Sequence, residues 1–290
     1  MPLTGSCLCG DVAFEVDGPI QPLSHCHCSM CRKSHGAAFA SFGSAAKSGF
    51  RWLRGLERIR LYESSAGGGR PFCSRCGSML PGAPESVDQV FIPLGLLADD
   101  PKLAPLEHIF VGSKAPWYEI SDSQPRHEAF PPGWGEGVPS PRKTEPTPEA
   151  VRGGCQCGAV TYEIPRPVAG AIVFCHCTRC RRARAAAHNA NFFVALDRFR
   201  WLTGGDKVET YKLPEAERFS QSFCRECGSG LPHVGLTRVV VPAGSLDDDP
   251  GIGPGLHIFV TSKAPWFEIA DDLPRYDEYP PQGLVINTPR

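Results

Sequence analysis

The stretch Cys26-His27-Cys28-Ser29-Met30-Cys31 decides how this chain is read, and it returns as Cys175-His176-Cys177-Thr178-Arg179-Cys180. Three sulfurs within six residues make a chelating arrangement. In an extended segment residues i and i+2 point to the same face, so Cys26 and Cys28 can reach one ion together. Cys31 can fold back onto it through a turn. Three thiolates are one short of the four that close a structural zinc site, and an open fourth position is what a catalytic zinc needs.

Working outward, a second set of cysteines flanks each triad. Cys7-Leu8-Cys9-Gly10 and Cys73-Ser74-Arg75-Cys76-Gly77 offer four thiolates in the first half; Cys155, Cys157, Cys224 and Cys227 offer the same in the second. Four thiolates from two distant segments suit a closed, tetrahedral structural zinc site. C-x-x-C followed by glycine is a knuckle whose turn lets backbone N–H groups donate to sulfur, with Gly77 free to adopt the left-handed conformation. Such a site compensates for a small core. Counting alone also permits a mixed grouping, such as Cys7 and Cys9 with Cys26 and Cys28. A redox dithiol at Cys73 and Cys76 would need a helix after it, which the sequence lacks. A disulfide scaffold is disfavoured, because Met1-Pro2-Leu3-Thr4-Gly5 carries no basic-then-apolar leader and C-x-C pairs are poor disulfide partners. Clustered thiols of this kind belong to a reducing compartment, so the expected location is cytoplasmic.

The second half repeats the first. Phe72-Cys73-Ser74-Arg75-Cys76-Gly77-Ser78 matches Phe223-Cys224-Arg225-Glu226-Cys227-Gly228-Ser229, and Ser113-Lys114-Ala115-Pro116-Trp117 matches Ser262-Lys263-Ala264-Pro265-Trp266. The register stays between 148 and 151 residues, and all 14 cysteines fall in matched positions. That period is far too long for a solenoid and reads as a tandem duplication. The expected division is a first domain over 1–132, a Pro/Gly-rich linker over 133–152, a second domain over 153–282 and a tail over 283–290. Pro (29) and Gly (31) favour short strands and turns over long helices. Asp11–Val16 and Ala159–Ile164 alternate polar with apolar; Arg51–Leu53, Arg200–Leu202, Gln89–Pro93, Arg238–Pro242, His108–Val111 and His257–Val260 are further strand candidates. Only Arg32–Ala38 and Arg181–Ala187 promise a helical turn. The fold class expected is mostly β.

Charge then limits the chemistry. The net charge is −1, which gives no bulk attraction to nucleic acid or anionic membrane. No apolar run approaches the 18 residues of a membrane span. Three thiolates on one Zn²⁺ leave a formal charge of −1, so the ion is a weak Lewis acid for water and prefers sulfur. A substrate thiol would enter as thiolate, and a departing thiolate would be stabilised by the same contact. The implied reaction makes or breaks a bond at a small-molecule thiol carbon.

The order C-x-C-G, C-H-C-x-x-C-R, F-C-x-x-C-G-S and S-K-A-P-W-[YF]-E-I resembles the glutathione-dependent formaldehyde-activating enzyme family, which includes the centromere protein V domain. The resemblance implies two tandem β-tent zinc domains. It implies a structural zinc on Cys7, Cys9, Cys73 and Cys76 (Cys155, Cys157, Cys224 and Cys227) and a catalytic zinc on Cys26, Cys28 and Cys31 (Cys175, Cys177 and Cys180), about two per domain. It further implies carbon–sulfur lyase activity, with condensation of glutathione and formaldehyde to S-hydroxymethylglutathione as the founding reaction. The alternative is a non-catalytic zinc module of the same fold acting in protein or nucleic-acid binding; a third option makes one copy catalytic and the other its built-in dimer partner. This chain departs from the single-domain pattern, and Arg184 stands opposite His35 while His188 stands opposite Phe39.

Beside the triads, Arg32, Lys33, Arg181 and Arg182 form a basic edge that could hold glutathione carboxylates. His27 and His176 should point away from the ion and serve the core or a hydrogen bond. His108 and His257 read as core residues, and Trp117 and Trp266 as core anchors. Lys114 and Lys263 could pair with an acid or with substrate. The expected partners are a small thiol and an aldehyde, with no membrane and no nucleic acid, and the two domains are expected to pack as a pseudo-dimer.

Overall fold

The computed structural model describes residues 2–134 and 144–290. Of the stretch read as linker, residues 135–143 lie outside the described residues. The first half runs β1 (Leu3–Ser6), β2 (Ala13–Val16), β3 (Gln21–Cys26), α1 (Ser29–His35), β4 (Ala40–Ala46), β5 (Phe50–Arg54), β6 (Ile59–Ser65), β7 (Gly68–Cys73), β8 (Gln89–Pro93) and β9 (Glu107–Ile109). The second runs β10 (Ala150–Gly154), β11 (Thr161–Pro165), β12 (Ile172–Cys175), α2 (Thr178–Arg184), β13 (Asn189–Ala195), β14 (Arg200–Thr203), β15 (Val208–Lys212), β16 (Ser220–Cys224), β17 (Gly230–Leu231), β18 (His233–Val234), β19 (Arg238–Pro242), β20 (Pro254–Ile258) and β21 (Arg275–Tyr276). The chain is mostly β, as its turn-rich composition requires.

Each half builds the same frame. The sheets β1-β2-β5 and β10-β11-β14 correspond, as do β8-β4-β3-β9 and the core of β18-β19-β13-β12-β20-β21. In both halves the strand that ends at the first triad cysteine lies parallel to its neighbour: Cys26 faces Ile109, and Cys175 faces Ile258. Phe14, Phe72, Leu94, Trp117, Tyr162, Phe174, Phe192 and Phe223 are fully buried. Each such side chain contributes about 1.5–3 kcal/mol, and one apolar cluster runs through both halves.

The two α-helices start earlier than their sequence suggests. Cys28 is the N-cap of α1 and its sulfur accepts from Cys31 N–H at 3.3 Å; Cys177 caps α2 from Cys180 N–H at 3.4 Å. A thiol does here what a hydroxyl or carboxylate usually does, so the helix takes in Cys31 instead of following it. Both helices stop at a left-handed residue, Gly36 (φ 59°) and Ala185 (φ 50°). Seven-residue helices cannot stand alone and are held by these caps and by what they pack on. No helix among the described residues is long and apolar enough to cross a membrane.

Candidate metal centres

The outer cysteines come together as two four-sulfur groups. Cys7, Cys9, Cys73 and Cys76 lie within 4.8 Å of one another at their sulfurs, as do Cys155, Cys157, Cys224 and Cys227. This resolves the mixed grouping that counting left open. Tight turns make the approach: Gly10 N–H reaches Cys7 O at 3.2 Å and Gly77 N–H reaches Cys73 O at 2.8 Å, both glycines with positive φ. Val12 N–H donates to Cys7 Sγ at 3.4 Å and Val160 N–H to Cys155 Sγ at 3.3 Å. Contacts between neighbouring sulfurs push the Cys7 and Cys224 thiols up, and the contact with Cys155 leads in pulling Cys227 down. Crowded thiols that divide their protons in this way fit a divalent cation that replaces the protons, and an all-thiolate set fits zinc.

The triads form two further groups. Cys26, Cys28 and Cys31, and Cys175, Cys177 and Cys180, also gather within 4.8 Å, each from a strand end, a cap and a first helical turn. His27, between Cys26 and Cys28, is fully buried and turned toward His108. Its Nε2 meets His108 Nδ1 at 2.8 Å, and His108 Nε2 meets the Asp122 carboxylate at 3.0 Å. Since the carboxylate only accepts, the proton order runs His27 to His108 to Asp122. His176, His257 and Asp271 repeat the chain at 2.8 and 3.0 Å. Burial, then the neighbouring His108, lowers His27 to about 3. Trp117 and Trp266 are buried anchors. Lys114 and Lys263 donate to backbone carbonyls, Lys114 to Tyr118 and Lys263 to Phe267.

The surroundings of the two triads differ. A cavity of about 610 Å³ opens on the first, lined by Cys26, Cys28, Cys31, His35, Arg70 and a wall of apolar side chains. Arg70 sets its guanidinium nitrogens 3.7 and 3.8 Å from Cys31 Sγ and donates from Nε to Ser64 at 3.2 Å. His35 Nδ1 meets Arg184 O at 2.7 Å, and because a carbonyl only accepts, Nδ1 carries the hydrogen. At the second triad it is Asn189 that approaches, Nδ2 to Cys180 Sγ at 3.8 Å. Arg184, in the place of His35, is buried, pushed down to about 10 by burial, and its Nε and Nη1 have no hydrogen-bond partner. Arg70 went unread in the sequence; its hairpin shows only as Gly67-Gly68-Gly69, and Gln221 stands in its place in the repeat.

The basic edge needs correction at Lys33. Cys28, Cys31, Arg32 and His35 fall on one side of α1 by helical spacing, which turns Lys33 to another; neither Arg32 nor Lys33 lines the cavity. Lys33 is 2% exposed and crosses to the other half, where Nζ pairs with Asp247 at 3.0 Å and donates to Gly154 O at 2.8 Å. Ser34 follows it, donating to Gln156 Oε1 at 2.6 Å. Arg32, Arg181 and Arg182 are partly buried, each with an Nε that finds no partner. The halves meet elsewhere with the same reciprocity. A Cβ on Gly95 would fall 2.3 Å from Ala186 N, and one on Gly244 2.4 Å from Ala37 N.

Frame and sulfur groups together define a two-part cysteine protein in which each part could hold one closed and one incomplete zinc set. A family profile described as glutathione-dependent formaldehyde-activating enzyme matches residues 2–113 and again 150–262, and the chain belongs to that family. A relative from Halomonas elongata, provisionally named as a glutathione-dependent formaldehyde-activating enzyme, is 31% identical over 134 residues, covering 43% of this chain and 84% of its own. A crystal structure of a Rhodobacter sphaeroides protein is 28% identical, covering 33% of this chain and 87% of that one with a TM-score of 0.27, too low to support a structural argument.

Proposed function

We propose that this chain is a zinc-dependent carbon–sulfur lyase that makes and breaks adducts of glutathione, or a similar thiol, with small aldehydes. The observation that carries the reading is three sulfurs, not four, gathered at a substrate-sized cavity. Cys26, Cys28 and Cys31 would hold the zinc, with Cys175, Cys177 and Cys180 as their counterparts. Zinc bound there supplies a position that takes a thiol as its thiolate. His35 lines the cavity with Nδ1 committed to Arg184 O, so Nε2 is the nitrogen left to carry the thiol proton to the aldehyde oxygen. Arg70 counters the charge of the thiolates. The Asp122–His108–His27 chain fixes the segment between two ligands. We read the halves as two domains, 1–132 and 153–282, packed as a pseudo-dimer with a location in a reducing compartment.

Exchange NMR on glutathione with formaldehyde tests the reading. The wild-type chain should accelerate adduct exchange, and the double variant Cys28→Ser, Cys177→Ser should lose it. Roughly four zinc per chain are expected, two resisting mild chelation and two labile. Unchanged exchange in the double variant would remove the catalytic role.

A further inference from the structure

The wall of the first cavity says what kind of group belongs there. Met30, Phe42, Met79, Leu80, Phe91 and Phe130 line it. Among the described residues that line it, Arg70 is the one arginine or lysine and no acid contributes. Arg70 is already turned onto Cys31 Sγ and Ser64 Oγ. Glutathione brings two carboxylates, and a carboxylate taken out of water without a partner is strongly disfavoured. Aryl or alkyl carbon would instead be favoured in proportion to the apolar area it buries.

In the second half four of these six residues are replaced, while Leu80 and Phe130 keep counterparts in Leu231 and Tyr279. Strand register sets Asn191 against Phe42 and Val240 against Phe91, because Phe42 pairs with Pro93 as Asn191 pairs with Pro242. Phe72 bridges Met79 where Phe223 pairs with Gly230. Arg179 takes the place of Met30. At Gly230 the room for a side chain is used by Arg184, whose Nη1 would lie 1.9 Å from a Cβ. The replacements are polar or smaller.

We infer that the ligand seated beside Cys26, Cys28 and Cys31 carries a bulky apolar group, aryl or long alkyl, and that the second triad does not select for it. This rests on the lyase reading for its chemistry. The thiol sulfur bonds to the carbonyl carbon, the thiol proton moves to the carbonyl oxygen, and nothing is oxidised. The apolar group can enter on the thiol or on the aldehyde.

Calorimetry on the zinc-loaded full chain decides the inference. With Cys177→Ser, which leaves the first triad whole, 3-phenylpropane-1-thiol should bind at least tenfold tighter than glutathione and with a negative heat-capacity change. With Cys28→Ser that preference should vanish. Met79→Gly and Phe91→Val, which give the first half the second half's residues, should lower the preference at least tenfold, and Met79→Leu should keep it. Equal or tighter binding of glutathione at the first triad, or the same preference at both, overturns the inference. Exchange NMR with formaldehyde plus the apolar thiol, and with glutathione plus 3-phenylpropanal, tells which partner brings the group. Tight apolar binding with no exchange in any pair sinks the lyase reading and leaves the inference standing; glutathione–formaldehyde exchange with no apolar preference does the reverse.

Discussion

The two three-cysteine sites share a backbone and part company at the side chains that approach their sulfurs. Strand end, thiol cap, short helix and His–His–Asp chain recur almost distance for distance. Around them, a guanidinium on Cys31 becomes a carboxamide on Cys180. His35 becomes a buried arginine, and Phe39 becomes His188. The frame that gathers the sulfurs is set by local motifs, whereas the character of each site comes from distant strands, where the two halves differ.

Variants made in pairs, one per half, break or sharpen that comparison. The largest effect belongs to the shared part. Cys73→Ser and Cys224→Ser should each cost one tightly held zinc and the fold of their own half, since binding at such sites is worth roughly 10 kcal/mol of folding energy; equal zinc loss by metal analysis and matching loss of a melting transition are expected. Lys33 comes next, because it is matched by Arg182 but its partner Asp247 is matched by Ala98. Lys33→Met takes the cation from a buried carboxylate that keeps Thr144 Oγ1 as a donor at 2.9 Å, and should cost up to about 3 kcal/mol in urea unfolding, against under about 1 kcal/mol for Arg182→Met. Asp247→Asn added to Lys33→Met should recover part of the loss.

The third pair is titratable against inert. Burial, then His257, lowers His188 from 6.5 to about 3; His176, His257 and Asp271 face it, and it in turn lowers His25. Above pH 6.5 the ring is neutral whether folded or not. As pH falls from about 6.5 to about 3, only the unfolded chain gains this proton, so stability declines across that window and then levels. His188→Phe, which copies the first half's Phe39, should flatten that decline in melting temperatures taken from pH 7 to 4. The smallest contrast is at the helix ends. Ala185 holds a left-handed φ that Gly36 holds freely. Ala185→Gly should therefore gain up to about 1 kcal/mol, and Gly36→Ala should lose about 1–2 kcal/mol.

What was legible in the sequence was local. Ligand spacing named the two triads and offered the two four-sulfur groups beside a mixed grouping that the structure rules out, and strand alternation at Phe14 or Tyr162 followed from burial on one side. The helix start escaped because cysteine is a poor cue for a cap. Arg70 escaped because its hairpin reaches the triad from 39 residues away. Lys33 was misread as a substrate contact because a cation after a metal ligand looks the same whether it turns toward the cavity or toward Asp247, 214 residues on, and only helical phase distinguishes them.

The Lys33–Asp247 pair exists on one side of the join only. In an assembly of identical subunits every amino-acid change appears at both mirror positions, so a carboxylate favourable in one place must be tolerated in its twin. Two copies on one chain escape that obligation: either three-cysteine bowl can acquire a new taste by a single codon change while its sibling keeps the old one, and equal dosage of the two is guaranteed by one ribosome.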